Sequence, residues 1–351
     1  MITTEEIEKL PIFFIVGRER SGTTLLQTIL DNHPNIIIPT EAQFIRHLYN
    51  KYHKIKYWDE LLIKSFCNDL LDENYIQLWK LDKDKLFDNL ITLKGECSFA
   101  TICKAIYFCS VSAIGKDKII LLGDKNPPYS LFIKELLSVF PTAKFIYITR
   151  DYRDHIVSMV DSHFDSHTIS TLAYRWKYYN ANILKNKNLY PSSFYHIRYE
   201  NLVQNPEEEI KKITSFLNVS FAEELLNNSK RAKFYDENKL LITKHHEQLL
   251  KPISTQKINV WEKRLKDSEV KTAEFVTGKF AEQFGYKRKF KKTSILLFFT
   301  CFVGVIKGWL FFPLYRFFYF LPIKFRKKTV DILILPNTEL GKEAVKHLQK
   351  T

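Results

Sequence analysis

The sequence predicts an α/β protein: a central parallel β-sheet flanked by helices in three layers, followed by a hydrophobic and basic helical tail. Three observations lead there. Short β-rich runs alternate with longer helical patterns, as strand–helix–strand units require. The first of these runs, Ile12–Val16, is continuously apolar, as suits a strand buried on both faces. The last 65 residues change character and become rich in aromatic side chains and cations.

The elements follow in order. Gly17 and Gly22 bound a loop after the first strand, and Thr23–Leu30 continues as a helix until Asn32-His33-Pro34 breaks it. Ile36–Ile38 reads as a second strand, and Lys118–Leu122, Lys144–Thr149 and Phe194–Arg198 as three more. Helical patterns fall at 41–56, 99–113, 129–140, 154–164 and 171–186. Another follows Asn205-Pro206 at 207–217, with Glu207, Glu208 and Glu209 in its first turn, as the helix dipole favours. In such sheets ligands bind beyond the carboxyl ends of the strands, so functional residues are expected directly after strands.

Composition bounds the partners. The 351 residues carry 53 Lys and Arg against 39 Asp and Glu, a formal charge of +14, and the 45% hydrophobic fraction excludes wholesale disorder. A charge of +14 points to nucleic acid, a phospholipid surface or an anionic substrate. From Lys287 onward there are fourteen cations and three anions, a net of +11, which leaves +3 for residues 1–286. The body is nearly balanced, so no nucleic-acid partner is expected. Two domains follow, 1–286 and a membrane-associating tail, 287–351. The five cysteines form no CxxC pair and are odd in number, which predicts reduced thiols, no disulfide framework and no metal site. Met1–Leu10 is polar and acidic and does not read as a secretory signal.

The loop Gly17-Arg18-Glu19-Arg20-Ser21-Gly22-Thr23-Thr24 has the frame of a phosphate-binding loop. Backbone N–H groups converge there, and the positive end of a helix dipole faces the same spot. The spacing fits G-x-x-x-x-G-K-[ST], but Thr23 stands where the Lys reaching the β/γ-phosphates would be. The fold is therefore P-loop-like, with the cation earlier, at Arg20. Such a loop suits an oxyanion other than a triphosphate–magnesium complex.

At this point the sequence resembles the sulfotransferases that use 3′-phosphoadenosine 5′-phosphosulfate (PAPS), most closely the tyrosylprotein sulfotransferase-like branch. Arg20-Ser21-Gly22-Thr23-Thr24 resembles the phosphosulfate loop of that family. The strand Phe145–Thr149 ends in Arg150, and Ser158 follows eight residues later; the resemblance implies that both hold the 3′-phosphate. Chemically, an Arg at a strand end can fork a phosphate dianion, and a hydroxyl two helical turns on can add a donor. Tyr199-Glu200-Asn201-Leu202 resembles the segment near the adenine, which makes Tyr199 a donor-binding candidate. Lys251-Pro252 through Trp261, then Phe284-Gly285-Tyr286, resemble the closing segment, so the resemblance covers about residues 11 to 286.

Sulfuryl transfer needs a base, a held sulfuryl group and stabilisation of the leaving bisphosphate. The resemblance places the base at Glu41, after the second strand; Glu41 could otherwise be a first-turn helix acid capped by Thr40. His33 is the second candidate, with a structural role in a turn as its alternative. The resemblance also implies that Lys125, in Gly123-Asp124-Lys125-Asn126-Pro127, contacts the sulfuryl or leaving oxygen, with Arg20 as a second cation; a surface lysine in a Pro-rich turn is the alternative. Lys251, Ser254, Thr255 and Lys257 are candidates for closing over the 3′-phosphate side. Arg153 and Asp154 read as local helix-start pairs, Tyr174, Trp176, Tyr178 and Tyr179 as helix packing. His163, His167, His245, His246, Asp72-Glu73 and Glu207–Glu209 read as solvated surface.

In the tail, residues 295–323 are apolar and aromatic, interrupted by Lys307, Pro313, Arg316 and Pro322. The longest uncharged run, 293–306, is short for a span of about 20 residues. Five cations lie in Lys287–Lys292 and four in Lys324–Lys328. Positive flanks on both sides disfavour a crossing and favour a helix in the interface of an anionic membrane, through residues 287–328. An apolar tail packed on the body is the alternative. The expectation is a cytoplasmic enzyme, peripherally or monotopically attached to the inner face of a membrane. It would move a sulfuryl group from PAPS, as co-substrate, to a hydroxyl of a glycan, lipid or peptide, without a metal. A P-loop kinase and a catalytically silent nucleotide-binding membrane protein are the alternatives.

Overall fold

The computed structural model describes residues 3–73, 75–110, 116, 118–162, 166–227, 252–292 and 294–321. The chain divides into two compact units: Met1–Thr149 with Asn182–Thr255, and Arg150–Ala181 with Gln256–Thr351.

The first unit is built on a five-stranded parallel sheet. Its strands are β1 (Ile12–Val16), β2 (Ile36–Ile37), β5 (Leu121–Lys125), β6 (Lys144–Thr149) and β7 (Phe194–Arg198), in the order β2-β5-β1-β6-β7. β1 is central, with Phe14 paired to Asp124 on one side and to Phe145 on the other. All five β1 residues are buried, which is why the run has no polar alternation. Phe14 packs its ring against Tyr129, Phe140 and Phe145, with centroids 5.5–5.9 Å apart. A two-residue antiparallel ribbon, β3 (Tyr57–Trp58) with β4 (Gly95–Glu96), was too short to show as a periodicity. The helices of this unit include α1 (Thr4–Lys9), α2 (Thr23–Asp31), α3 (Phe44–Tyr52), α4 (Glu60–Leu71), α5 (Lys83–Ile91), α6 (Phe99–Tyr107) and α7 (Ile133–Val139).

Two departures from the sequence expectation bear on the site. The strand expected at 118–122 begins three residues later and runs to Lys125, with Ile15 paired to Lys125. Gly123 and Asp124 are turn-type residues, yet the ladder continues through them. At Gly123 a Cβ would come within 2.7 Å of the Phe13 ring and 2.8 Å of Ile38, so any larger residue would have to displace those buried side chains. Lys125 therefore ends the strand instead of following it. The helix expected from residue 41 begins at Phe44, so Glu41 stands in a loop and not in a first helical turn.

Two surface expectations are corrected. Glu73 is buried, 2% exposed, and bonded to His47 Nδ1. It follows α4 where the chain turns inward, a placement that residue type alone does not reveal. Glu209 is buried as well, while Glu207 and Glu208 are exposed and pair with Lys211 and Lys212.

The second unit holds α8 (Tyr152–Ser162), the first part of α9 (Ile169–Leu189), short helices at Trp261–Arg264 and Asp267–Ala273, and a 26-residue tail helix, Ile295–Phe320. Trp176 is fully buried against the rings of Phe280, Phe284 and Tyr286, as its helical spacing implied. Arg153 pairs with Asp151 at 2.7 Å and Glu274 at 3.3 Å, and its guanidinium lies 3.9 Å from the Trp261 ring centroid. Asp154 accepts the Asn259 and Trp261 N–H groups at 2.8 and 2.9 Å. These two residues are thus buried ties to distant segments, beyond a local helix start. Burial also pushes the Asp154 carboxyl up to about 6, against the Trp261 hydrogen bond and the Arg150 charge. All five cysteines are free thiols. Among the described residues no His, Cys, Asp and Glu cluster could hold a metal. Lys251, His163, His245, His246 and the basic run Lys324–Lys328 lie outside the described residues.

The tail helix packs one face along α9. Thr171 Oγ1 donates to the Gly304 carbonyl at 2.9 Å, and Phe312 stacks on Tyr178 with centroids 3.6 Å apart. Gly304 and Gly308 allow this approach: a Cβ would meet Ser170 Oγ at 2.0 Å and the Tyr174 ring at 2.9 Å. Cys301, Gly304, Gly308, Phe312 and Tyr319 are buried, a helical stripe. The opposite side leaves Phe299, Val303, Leu310 and Phe317 exposed. Among the described residues this is one helix long and apolar enough to cross a membrane.

Candidate active site

The loop between β1 and α2 turns through left-handed backbone and is closely packed at both its glycines. Arg20 adopts the left-handed region at φ 66°, and Gly22 does so at φ 95°. Gly22 is the N-cap of α2 and, having no side chain, offers the first N–H groups of that helix no cap of its own. A Cβ on Gly17 would lie 2.5 Å from the Ile148 carbonyl oxygen, and one on Gly22 would lie 2.5 Å from the Tyr199 ring. Ser130 Oγ fixes the loop's entry, accepting from Gly17 N at 3.0 Å and donating to Gly17 O at 3.2 Å. Ser21 and Thr23 are buried, and Arg20 is half-buried. Gly22→Ala is expected to cost at least about 1 kcal/mol from its backbone alone. The thermal midpoint should then fall by roughly 2–4 °C, readable by calorimetry. An unchanged midpoint would show that the Tyr199 ring gives way and the backbone tolerates a Cβ.

Three sequence candidates from separate segments meet. Lys125, at the carboxyl end of β5, donates from Nζ to Thr24 Oγ1 at 3.1 Å and to Glu41 Oε1. The Lys125 side chain is 2% exposed, whereas Glu41 is 43% exposed, so the pair joins a buried cation to an accessible carboxylate. Thr24 is in the first turn of α2, and Glu41 is in the loop after β2. All three sit where the sheet's carboxyl edge was expected to carry function. Tyr199 opens α10 (Tyr199–Gln204) and lays its ring on Gly22.

Arg150 and Ser158 belong to the second unit. Arg150 is the residue after β6, 6% exposed, and its Nη2 donates to the Lys257 carbonyl at 2.8 Å. Its own carbonyl accepts the Trp176 indole N–H at 3.1 Å. Ser158 is half-buried on α8. Ser254 and Thr255 lie in the first unit, where Thr255 opens a short 3₁₀ turn, Thr255–Lys257. His33 is not placed as a base. It is 1% exposed, with Nε2 bonded to the Ser220 carbonyl at 3.0 Å and Nδ1 accepting from Asn35 N at 3.1 Å. Burial holds its pKa below the usual imidazole value.

Sequence reasoning missed Asp124, Asn126 and Tyr107. Asp124 is buried and accepts from Tyr107 Oη at 2.6 Å and Asn126 Nδ2 at 2.5 Å. Burial pushes its carboxyl up to about 7, opposed by those two hydrogen bonds and by Lys125. The available signal was a carboxylate and an amide flanking Lys125 in a run otherwise taken for a turn.

The fold and site define an α/β protein with a glycine-bounded loop after the central strand of a parallel sheet and a lysine–glutamate pair beside that loop. The profile of the Sulfotransferase family matches residues 11–223, more than half of the chain, and the chain belongs to that family. A putative protein-tyrosine sulfotransferase of Caenorhabditis briggsae is 23% identical over 222 residues, 62% of this chain and 69% of that protein. The omega-hydroxy-beta-dihydromenaquinone-9 sulfotransferase Stf3 of Mycobacterium tuberculosis (strain CDC 1551 / Oshkosh) is 27% identical over 247 residues, 59% of this chain and 62% of that protein. The protein-tyrosine sulfotransferase of Drosophila melanogaster is 23% identical over 262 residues, and the chain spans 47% of its length. The chain thus spans about half to two thirds of these relatives. In fold it is similar to the sulfotransferase domain of the Synechococcus PCC 7002 olefin synthase. The TM-score is 0.54 at 23% identity, over 79% of this chain and 95% of that domain.

Proposed function

We propose that the chain transfers a sulfuryl group from PAPS to a hydroxyl of a glycan, lipid or peptide at a membrane surface. The observation that carries this is the convergence of Thr24, Glu41 and Lys125 beside the glycine-bounded loop. The donor's oxyanions suit that loop, whose two glycines leave no Cβ in the way and whose helix begins at a glycine N-cap. Arg20, Ser21, Gly22, Thr23 and Thr24 would hold the phosphosulfate, Arg150 and Ser158 the 3′-phosphate, and Tyr199 the adenine side. Glu41 takes the acceptor's hydroxyl proton as that oxygen bonds to sulfur. Lys125, with Arg20, meets the negative charge that collects on the phosphate oxygen as its bond to sulfur breaks. Adenosine 3′,5′-bisphosphate leaves with the electron pair. Thr23 in place of a P-loop lysine weighs against the kinase alternative, and the Glu41–Lys125 pair weighs against a silent binding protein.

Residues 1–286 would form the transferase domain and 287–351 the membrane-associating tail. The exposed stripe of the tail helix supports a helix lying flat in the interface. Helical periodicity sets Lys307 and Arg316 on opposite margins of the stripe Phe299, Val303, Ile306, Leu310 and Phe317, from which both can reach headgroups. A crossing would carry the docked part of α9, with Arg175 and Lys177, into hydrocarbon. Arg288 and Lys289 pair with Glu282 and Asp267, while Lys287, Lys291 and Lys292 are exposed for anionic lipid, which favours the inner leaflet of a cytoplasmic membrane.

Transfer of sulfur-35 from labelled PAPS to a panel tests the chemistry: dodecanol, an acidic tyrosine peptide and a disaccharide. Labelled product is expected from at least one. No product from any, together with no binding of adenosine 3′,5′-bisphosphate, sinks the proposal. For the tail, the full chain should sediment with phosphatidylglycerol vesicles. Leu310→Asp with Phe317→Asp should weaken this more than about tenfold, since each side chain stabilises burial by roughly 1.5–3 kcal/mol. Unchanged sedimentation of the double variant would exclude this face as the lipid contact.

A further inference from the structure

The loop that presents Glu41 is irregular, yet its carbonyl groups are individually held. Gln27 Nε2 donates to the Ile38 and Pro39 carbonyls at 3.3 and 2.6 Å. Trp79 Nε1 donates to the Thr40 carbonyl at 2.8 Å. Asn126 Nδ2 donates to the Ala42 carbonyl at 3.2 Å, and the Ile38 N–H donates to Asp31 Oδ1 at 2.8 Å. Gln27, Trp79 and Asn126 are each 4% exposed or less. A loop without ladder hydrogen bonds is thereby fixed on both sides of Glu41.

Asn126 has a special place among these donors. It adjoins Lys125, and the same amide nitrogen that holds Ala42 also donates to Asp124 Oδ1. Asp124 is oriented in turn by the Tyr107 hydroxyl. A continuous buried chain therefore runs from Tyr107 through Asp124 and Asn126 to the residue after Glu41. We propose that Asn126 and Asp124 are positioning residues that set the Glu41 loop against Lys125, with the ionised Asp124 carboxylate as the acceptor that orients the Asn126 amide. This rests on Glu41 and Lys125 acting together in the transfer.

The clamp has a built-in pH dependence. Asp124 faces Tyr107 and Cys103 on α6, Tyr129, its neighbours Lys125 and Asn126, and Glu41. Both oxygens of the carboxylate accept hydrogen bonds. Once protonated, the carboxyl can donate to the Tyr107 hydroxyl, which also accepts, and the oxygen left facing the donor-only Asn126 amide is a neutral and weaker acceptor than a carboxylate oxygen. With its carboxyl pushed up to about 7 by burial, Asp124 makes that change close to neutral pH. The clamp is closed above that pH and loosens below it.

Two measurements on the full chain test this. The first is amide hydrogen exchange of the 38–43 segment, which needs no turnover. Asn126→Ala should speed exchange there and leave the 17–24 loop unchanged; equal exchange at 38–43 in variant and wild type overturns the proposal. The second is the pH profile of sulfur-35 transfer to the best acceptor of the panel. The acid limb should lie near 7 in the wild type. Tyr107→Phe removes a hydrogen bond that favours the carboxylate, so the limb should move to higher pH by about one unit. A merely structural role would lower the rate at every pH without moving the limb, and that result also overturns the proposal. If Asn126→Ala does not fold, the Tyr107→Phe profile decides. If the wild type transfers nothing, the sulfuryl-transfer reading falls and the exchange experiment alone decides the clamp.

Discussion

Glu41→Gln is expected to lower transfer to an aliphatic alcohol by about 10²–10⁴ while leaving adenosine 3′,5′-bisphosphate binding unchanged. The amide is nearly the same size as the carboxylate and keeps an acceptor oxygen toward Lys125, so the loop and its clamp should persist. What disappears is the group that takes the hydroxyl proton. The defect should therefore depend on the acceptor. An aliphatic hydroxyl holds its proton firmly and needs the base, whereas p-nitrophenol is largely ionised near neutral pH and does not. With p-nitrophenol the loss should be less than about tenfold. The two rates for wild type and variant, measured side by side, check the role. An equal loss with both acceptors would make Glu41 an electrostatic or structural partner of Lys125 rather than the base.

Lys125→Ala should cost about 10²–10³ in turnover, the size seen when one preorganised donor to developing charge is removed. Here the loss should be the same for the alcohol and the phenol, because Lys125 acts on the sulfuryl and leaving-group side. The side chain is buried at the end of β5 and held by Thr24, so its ammonium is fixed before any substrate arrives. Steady-state rates with both acceptors separate this variant from Glu41→Gln: a uniform loss against an acceptor-dependent one. Full turnover in Lys125→Ala would remove it from the chemistry.

Much of this architecture was legible in residue patterns. β1, β6 and β7 are bounded as their apolar runs suggest, and the loop after β1 announces itself by two glycines between a strand and a helix. Arg150 follows a strand and Ser158 lies two turns into a helix, as the spacing required. β5 was harder, because Gly123-Asp124-Lys125 is written in turn residues. Its strand character comes from the neighbouring β1 ladder, and its glycine from the Phe13 ring, neither of which is a local property. The partners of the Glu41 loop were hidden for the same reason. Gln27, Trp79 and Asn126 lie 12, 39 and 84 residues away from the carbonyls they hold. Glu73 looked like a solvated acid until the His47 contact placed it inside.

The charge pattern of the tail was visible from the sequence, but its packing was not. The i, i+4 glycines Gly304 and Gly308 gain meaning only from Ser170 and Tyr174 lying against them. That contact divides one apolar helix into a docked face and an exposed face. It also explains how Lys307 and Arg316 can sit inside so hydrophobic a segment, at the boundary between the two.

The most direct measurement is the thermal midpoint of the full chain with adenosine 3′,5′-bisphosphate against ATP–magnesium. A ligand at one hundred times its Kd stabilises the folded state by about 2.7 kcal/mol, which is several degrees. The bisphosphate should raise the midpoint by that amount and ATP–magnesium should not. The bisphosphate shift should disappear in Arg150→Ala. A shift with ATP–magnesium and none with the bisphosphate would contradict a sulfuryl donor in this site.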